Sequence, residues 1–298
     1  MIKKSKYRVY FFLFVLIFPS LIFTQPRNSN TLSEGSEDPQ IRATSGENEF
    51  SFSGYNWTKR TSAGEKQGPG PNYFNSSEEN VWLDEDGYLH LKITKNNGKW
   101  YCAEIYSDES FGHGTYNFKL APGFKDLDKN VILGLFTYLD DENEIDIEFA
   151  KWGDKNAKLG QFVVQPSSNL GNIHRFEFPN KTEDSVHGFT WCEEYIKFYS
   201  AIDSTFNYDE QNVVEEWFYT GNNNPEPSTE KARMNLWLMD GMAPSDGEET
   251  EVVIKGFEYE PSKCDDPVPL PPWIIWAIII GIVCIAAVGI FFYRGRKK

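Results

Sequence analysis

Residues 143–149 read Asn-Glu-Ile-Asp-Ile-Glu-Phe, and the spacing of their acids and apolar residues is the chemically most pointed feature of the chain. Side chains alternate along a β-strand, so Glu144, Asp146 and Glu148 fall on one face and Ile145, Ile147 and Phe149 on the other. The apolar face belongs against a core. Three carboxylates in a row on the opposite face repel one another without any packing return, unless that face lines a working cleft. The plain alternative is a solvated acidic edge strand, since charge on edge strands protects against aggregation. Two features count against it: the apolar residues between the acids are large, and the preceding run, Val131 to Leu139, carries Phe136 and Tyr138 near its end, aromatic platforms suited to the faces of sugar rings.

Two carboxyl groups flanking a glycosidic bond are the apparatus of glycoside hydrolysis, and a separation of about 5 Å indicates retention through a covalent glycosyl-enzyme. On a flat strand the Cα atoms of Glu144 and Glu148 would stand about 13 Å apart, so the mechanism requires a sheet that is concave on this face. At about 5 Å and an effective dielectric of about 20, two like charges cost roughly 3 kcal/mol, enough to hold one carboxyl protonated about two pH units above its ordinary range. A general acid near neutral pH needs that proton, and the titration belongs to the coupled group. Asp146, between the two, is placed to orient and share a proton with one of them.

The elements that must position this strand are themselves strands. Short runs of period-two or aromatic and β-branched character recur at Phe50–Phe52, Leu89–Thr94, Gly114–Leu120, Val131–Leu139, Glu144–Phe149, Gln161–Gln165, Arg175–Phe178, Gly188–Trp191, Tyr195–Ala201, Met234–Met239 and Val252–Tyr259. Turn signals such as Asp86-Gly87 and Asn222-Asn223-Asn224-Pro225 separate them, and no helix longer than a turn or two is expected in this region. So many strands suit an all-β, two-sheet antiparallel sandwich better than one open sheet.

The run Glu144-Ile-Asp-Ile-Glu148-Phe resembles the signature of glycoside hydrolase family 16, in the form found in lichenases and xyloglucan endotransglycosylases. Further likeness lies in Cys102-Ala-Glu104 followed by Gly112-His113-Gly114-Thr-Tyr116, in Met234-Asn235-Leu-Trp237, and in the pair His187-Gly-Phe-Thr-Trp191 and Tyr195-Ile-Lys-Phe-Tyr199. It covers roughly Glu49 to Pro261. The resemblance implies a concave jelly roll and a retaining mechanism with Glu144 as nucleophile, Asp146 as its assistant and Glu148 as acid/base. By the same similarity Glu104, Phe136, Tyr138, Asn235 and Trp237 line sugar subsites, with Asn72 a weaker candidate. No cofactor is required; calcium on the convex side occurs in the family, but no ligand cluster here points to it. The departures concern specificity: Tyr106 stands where lichenases carry an Arg, Glu142 where they carry a Trp, and Val163 where they carry an Asn. Ser76 lies near the place of the lichenase partner of Cys102.

Outside the strands, residues 1–24 begin with Lys3, Lys4, Lys6 and Arg8 and continue apolar from Tyr10 to Phe23, the pattern of a signal peptide or N-terminal anchor. Residues 25–48 form a polar leader, 49–261 the catalytic domain and 262–272 a Pro-rich stalk. Residues 273–293 are uncharged and long enough for a transmembrane helix, and the basic 294–298 mark the cytoplasmic side. The domain is thus expected outside the cytoplasm on a single-pass anchor. Between the two ends lie all 44 acidic residues and 21 basic ones, a net charge of −23 that disfavours nucleic acid and favours a neutral polysaccharide.

Of the four cysteines, Cys284 falls in the span and Cys264 in the stalk, leaving Cys102 and Cys192 in the domain; a bond between them is permitted but not implied. Asn56, Asn75 and Asn180 begin glycosylation sequons. The histidines show no metal-ligand spacing, and no Gly-x-Ser-x-Gly turn is present. Two other functions remain compatible with the sandwich: a transglycosylase using the same carboxylates, and a non-catalytic carbohydrate-binding protein.

Overall fold

The computed structural model describes residues 46–261 apart from 180–182, 204 and 207–209, together with residues 264, 274, 276, 277, 279 and 280. The signal or anchor segment, most of the leader, the Asn180 sequon and most of the stalk and span lie outside the described residues. Ile274, Trp276, Ala277, Ile279 and Ile280 are helical, and among the described residues no helix is long and apolar enough to cross a membrane.

The described chain folds into β1 (Glu49–Phe52), β2 (Tyr55–Lys59), β3 (Tyr73–Phe74), β4 (Val81–Leu83), β5 (Leu89–Asn96), β6 (Lys99–Ser107), β7 (Gly114–Leu120), β8 (Val131–Asp140), β9 (Asn143–Ala150), β10 (Gly160–Val164), β11 (Ile173–Phe176), β12 (Ser185–Trp191), β13 (Ile196–Ile202), β14 (Val213–Tyr219), β15 (Lys231–Leu238) and β16 (Thr250–Pro261). Only three single-turn 3-10 helices interrupt them among the described residues, so the all-β expectation holds. The front sheet runs β11-β10-β9-β8-β15-β6-β2-β1 and the back sheet β4-β5-β16-β7-β12-β13-β14, all antiparallel. The two-residue β3 pairs parallel with β6. The sheets are joined by the β5–β6 hairpin, where Asn96 faces Lys99 across Asn97-Gly98. Both turn residues have positive φ (49° and 78°), as a turn matching the right-handed twist of its strands requires.

Alternating side chains from the two inner faces meet in one core. Phe162 of β10 stacks on Phe198 of β13 at 5.1 Å, and Trp57 of β2 meets Phe257 of β16 edge-on at 5.1 Å. Behind the acidic strand, Ile145, Ile147 and Phe149 are fully buried, and Phe149 packs at 4.6 Å against His187 of β12. That histidine is hydrogen-bonded by Ser185 and Ser200, and burial pushes its pKa down to about 3, so it serves as a neutral core residue. β8 is buried along most of its length because one face joins the core and the other lies under the side chains of the site.

The cysteine question is settled by an unforeseen pairing. Cys192, just after β12, is bonded to Cys264, which the sequence had placed in the stalk, while Cys102 is a buried free thiol whose pKa burial raises to about 12. The chain beyond β16 is therefore fastened to the β12–β13 turn and does not leave the domain freely at Pro261.

Candidate active site

Register across the front sheet decides which side chains meet, because residues directly opposite on antiparallel strands share a face. Glu144 faces Tyr138; Asp146 lies between Phe136 and Val163; Glu148 lies between Gly134 and Gln161. Further along, Phe136 faces Arg233, which faces Tyr106, and Gly134 faces Asn235, which faces Glu104. On the other side Val163 faces Ile173 and Gln161 faces Arg175. The result is a set of rows crossing the strands, one of which runs Glu104, Asn235, Gly134, Glu148, Gln161, Arg175. These side chains line a cleft of about 960 Å³, walled also by Arg60, Trp152 and the Gly68–Gly70 loop.

Gly134 matters because it has no side chain. A Cβ there would come within 2.5 Å of Asn235 Oδ1, so glycine leaves a gap in the row between Asn235 and Glu148. Asn235 is 2% exposed, and its Oδ1 has no hydrogen-bond partner; Arg233 Nε, also buried, has none either. An acceptor and a donor without partners at the wall of a cleft are suited to the hydroxyl groups of a sugar.

The carboxyls are strongly perturbed. Burial pushes Glu144 up to about 8 and Glu148 to about 7, and burial with the two neighbouring glutamates raises Asp146 well above its ordinary range. Asp146 and Glu144 share a hydrogen bond that raises Asp146 and lowers Glu144, so within the pair it favours the proton on Asp146 and works against the effect of burial on Glu144. Gln165 Nε2 donates to Asp146 Oδ2 at 3.1 Å, and Gln161 Nε2 to Glu148 Oε2 at 2.6 Å.

Glu104, 1% exposed, stays compensated between two guanidiniums: Arg60 Nη1 donates to Oε2 and Arg233 Nη1 to Oε1, both at 2.7 Å. Arg60 lies over Phe74 at 4.1 Å, and Arg233 lies over Tyr138 at 4.8 Å and Tyr106 at 5.3 Å.

Every residue singled out from the sequence lines the cleft except Asn72. Its amide donates to Pro69 O and Leu238 O, so it shapes the loop beside the cleft and does not reach into it. Trp152, at the rim, meets Trp237 edge-on at 6.3 Å. Sequence reasoning missed Arg60, Gln161, Gln165, Arg175 and Arg233; for Gln161, Arg175 and Arg233 a polar residue of the right parity on a strand was the available signal, but strand pairing was needed to read it, while Arg60 and Gln165 stand just past the ends of β2 and β10. Among the described residues no three His, Cys, Asp or Glu side chains converge as a metal ion needs.

No family model matches the chain. A beta-glucanase of Paenibacillus polymyxa is 28% identical over 166 residues, covering 53% of this chain and 62% of the relative. A beta-glucanase of Acetivibrio thermocellus is 28% identical over 210 residues, covering 62% of this chain and 55% of the relative. The alignments thus span less than two thirds of either relative's length. Among solved structures, the Bacillus licheniformis beta-glucanase superposes with a TM-score of 0.51 at 20% identity, covering 70% of this chain and 92% of that one. A glycosyl hydrolase family protein from Mycobacterium fortuitum gives 0.52 at 18%, covering 68% and 91%. At these identities the structural likeness establishes the fold, a beta-glucanase-like sandwich. The resemblance to glycoside hydrolase family 16 drawn from the sequence is borne out by the beta-glucanase relatives.

Proposed function

We propose that the protein is an endo-acting, retaining glycoside hydrolase of a neutral β-glucan, held outside the cytoplasm by its C-terminal apolar segment. What supports this reading is the triad Glu144, Asp146, Glu148 on one face of β9 inside the cleft, with Asp146 hydrogen-bonded to Glu144. In the first step a Glu144 oxygen attacks the anomeric carbon while Glu148 gives its proton to the departing glycosidic oxygen. In the second, Glu148, now ionised, takes a proton from water, which attacks the same carbon and releases Glu144. Asp146 holds Glu144 in line and stabilises its charge. β-Glucan as substrate is the reading that the relatives' names support, and the acidic domain agrees with an uncharged polymer.

The N-terminal basic-apolar segment would export the chain, and residues 273–293 with their basic end would hold it in the membrane with the C-terminus in the cytoplasm. Protease protection on intact cells tests that placement: shaving should remove the domain and leave the last residues protected.

For the activity, the full chain in detergent is incubated with a panel of neutral β-glucans and reducing ends are followed beside Glu144→Gln. Release by the wild type alone is expected. Silence from both, with glycan binding unaltered by the substitution, would overturn the reading in favour of a binding protein; products longer than the substrate would point to a transglycosylase.

A further inference from the structure

We propose that Arg175, acting through Gln161, is a positioning residue for the carboxyl of Glu148. The inference rests on the reading of Glu148 as acid/base. Glu148, Gln161 and Arg175 are consecutive members of one row across β9, β10 and β11. Gln161 is 4% exposed, and its amide is engaged at both ends: Arg175 Nε donates to Oε1 at 3.0 Å, and Nε2 donates to Glu148 Oε2 at 2.6 Å. A carboxamide turned by half a revolution would set its oxygen against the carboxylate. Arginine carries only donors, so wherever it meets this amide the oxygen must face it and the NH2 group must face Glu148. Arg175 thereby decides which way Gln161 points.

The consequence is chemical. An acid/base must give up a proton in one half-reaction and take one in the next, which requires an affinity near the working pH. Burial favours the protonated form of Glu148, and the NH2 group of Gln161 and the charge of Arg175 favour the ionised one. The other titratable and charged groups in the cleft are Glu144 and Asp146 on the same strand, Tyr138 on β8 with Asp141 just beyond it, Arg233 on β15, Glu104 and Tyr106 on β6 and Arg60 after β2; at the positions next to Glu148 across the sheet, β8 contributes Gly134 and β15 the uncharged Asn235. With Arg175 removed, Gln161 is free to turn its oxygen to Glu148 and the carboxyl keeps its proton to higher pH.

The test is a 13C NMR titration of glutamate-labelled full chain in detergent, with the Glu148 signal identified by its loss in Glu148→Gln. Arg175 is exposed on the edge strand, so Arg175→Met should leave the core intact. Arg175→Met and Gln161→Leu should each raise the Glu148 midpoint by about half a pH unit, and the double variant no further than Gln161→Leu alone. No shift in Arg175→Met would overturn the proposal. So would an undiminished shift in the Gln161→Leu background, which would assign the effect to the charge of Arg175 acting directly. The titration needs no substrate, so a chain that hydrolyses no glucan would refute the proposed activity while leaving this result readable.

Discussion

Replacing Glu148 by Gln removes a buried carboxyl while keeping its shape and its contact with Gln161, and the cost of that carboxyl should then become visible as a pH-dependent stability. In the unfolded chain the group titrates near 4.5 and in the folded protein near 7. Below 4.5 it is protonated in both states and costs nothing; between 4.5 and 7 the unfolded chain ionises while burial keeps the folded carboxyl neutral, so stability falls, and above 7, where both states are ionised, the loss levels off. The linkage amounts to about 3 kcal/mol across that window, of which about 2–3 kcal/mol lies between pH 5 and pH 8.5. Glu148→Gln lacks this loss. For a domain of this size 1 kcal/mol moves Tm by about 2–4 °C, so the variant's Tm should gain roughly 4–12 °C on the wild type between pH 5 and pH 8.5. Thermal unfolding by circular dichroism at the two pH values checks it, and comparing the two proteins cancels the general charge repulsion of an acidic domain. A difference between them that is the same at both pH values would refute the burial argument.

Gly134→Ala brings a methyl group to 2.5 Å from Asn235 Oδ1 and fills the gap beside Glu148, so steady-state kinetics should give a KM raised about tenfold and urea unfolding a loss of about 1–3 kcal/mol. Arg233→Met leaves Glu104 with Arg60 as its one guanidinium, beside the long bond from Asn235 Nδ2, and removes a positive charge that favours ionised Glu144. Its expected marks are about 1–2 kcal/mol of lost stability in urea and an acid limb of activity displaced to higher pH, since Glu144 must ionise to attack. Replacing Cys192 and Cys264 by Ser opens a loop of 72 residues and should cost about 2–4 kcal/mol, seen as a lower Tm that no longer responds to dithiothreitol.

The face bearing Glu144, Asp146 and Glu148 was legible because the strand period of two is written into a single heptad of sequence. The same holds for β7, whose bounds matched, and for Phe136 and Tyr138, whose parity puts them beside the acids. Long-range pairing was not legible. Arg233 sits in an ordinary alternating run, and only the apposition of β15 with β6 and β8 sets it over Tyr106 and Tyr138. β6 (Lys99–Ser107) escaped strand assignment by periodicity because its central residues are buried on both faces, which erases the alternation; β14 escaped because most of its residues are half-buried. The role of Cys264 was hidden for a related reason, since composition marked a stalk where a covalent tie decides the path.

A row of acids this buried is tolerable only because its neighbours were chosen across strands. Each carboxyl has a distinct compensation: Glu144 accepts a hydrogen bond from Asp146, Asp146 one from Gln165, Glu148 one from Gln161, and Glu104 two guanidiniums. None of these donors lies within ten residues of its acceptor except Asp146 itself. With neighbouring strands about 4.8 Å apart, the row from Glu104 to Arg175 crosses six strands and extends about 24 Å, perpendicular to the chain direction of the sheet. A linear polymer laid along it would meet a new strand, and so a new set of side chains, every few ångströms, with Glu148 towards the middle and polar side chains to either side. For the hydrolase proposed above that arrangement suits attack on internal bonds, and specificity would then depend on which residues face one another across the sheet more than on any single motif along the chain.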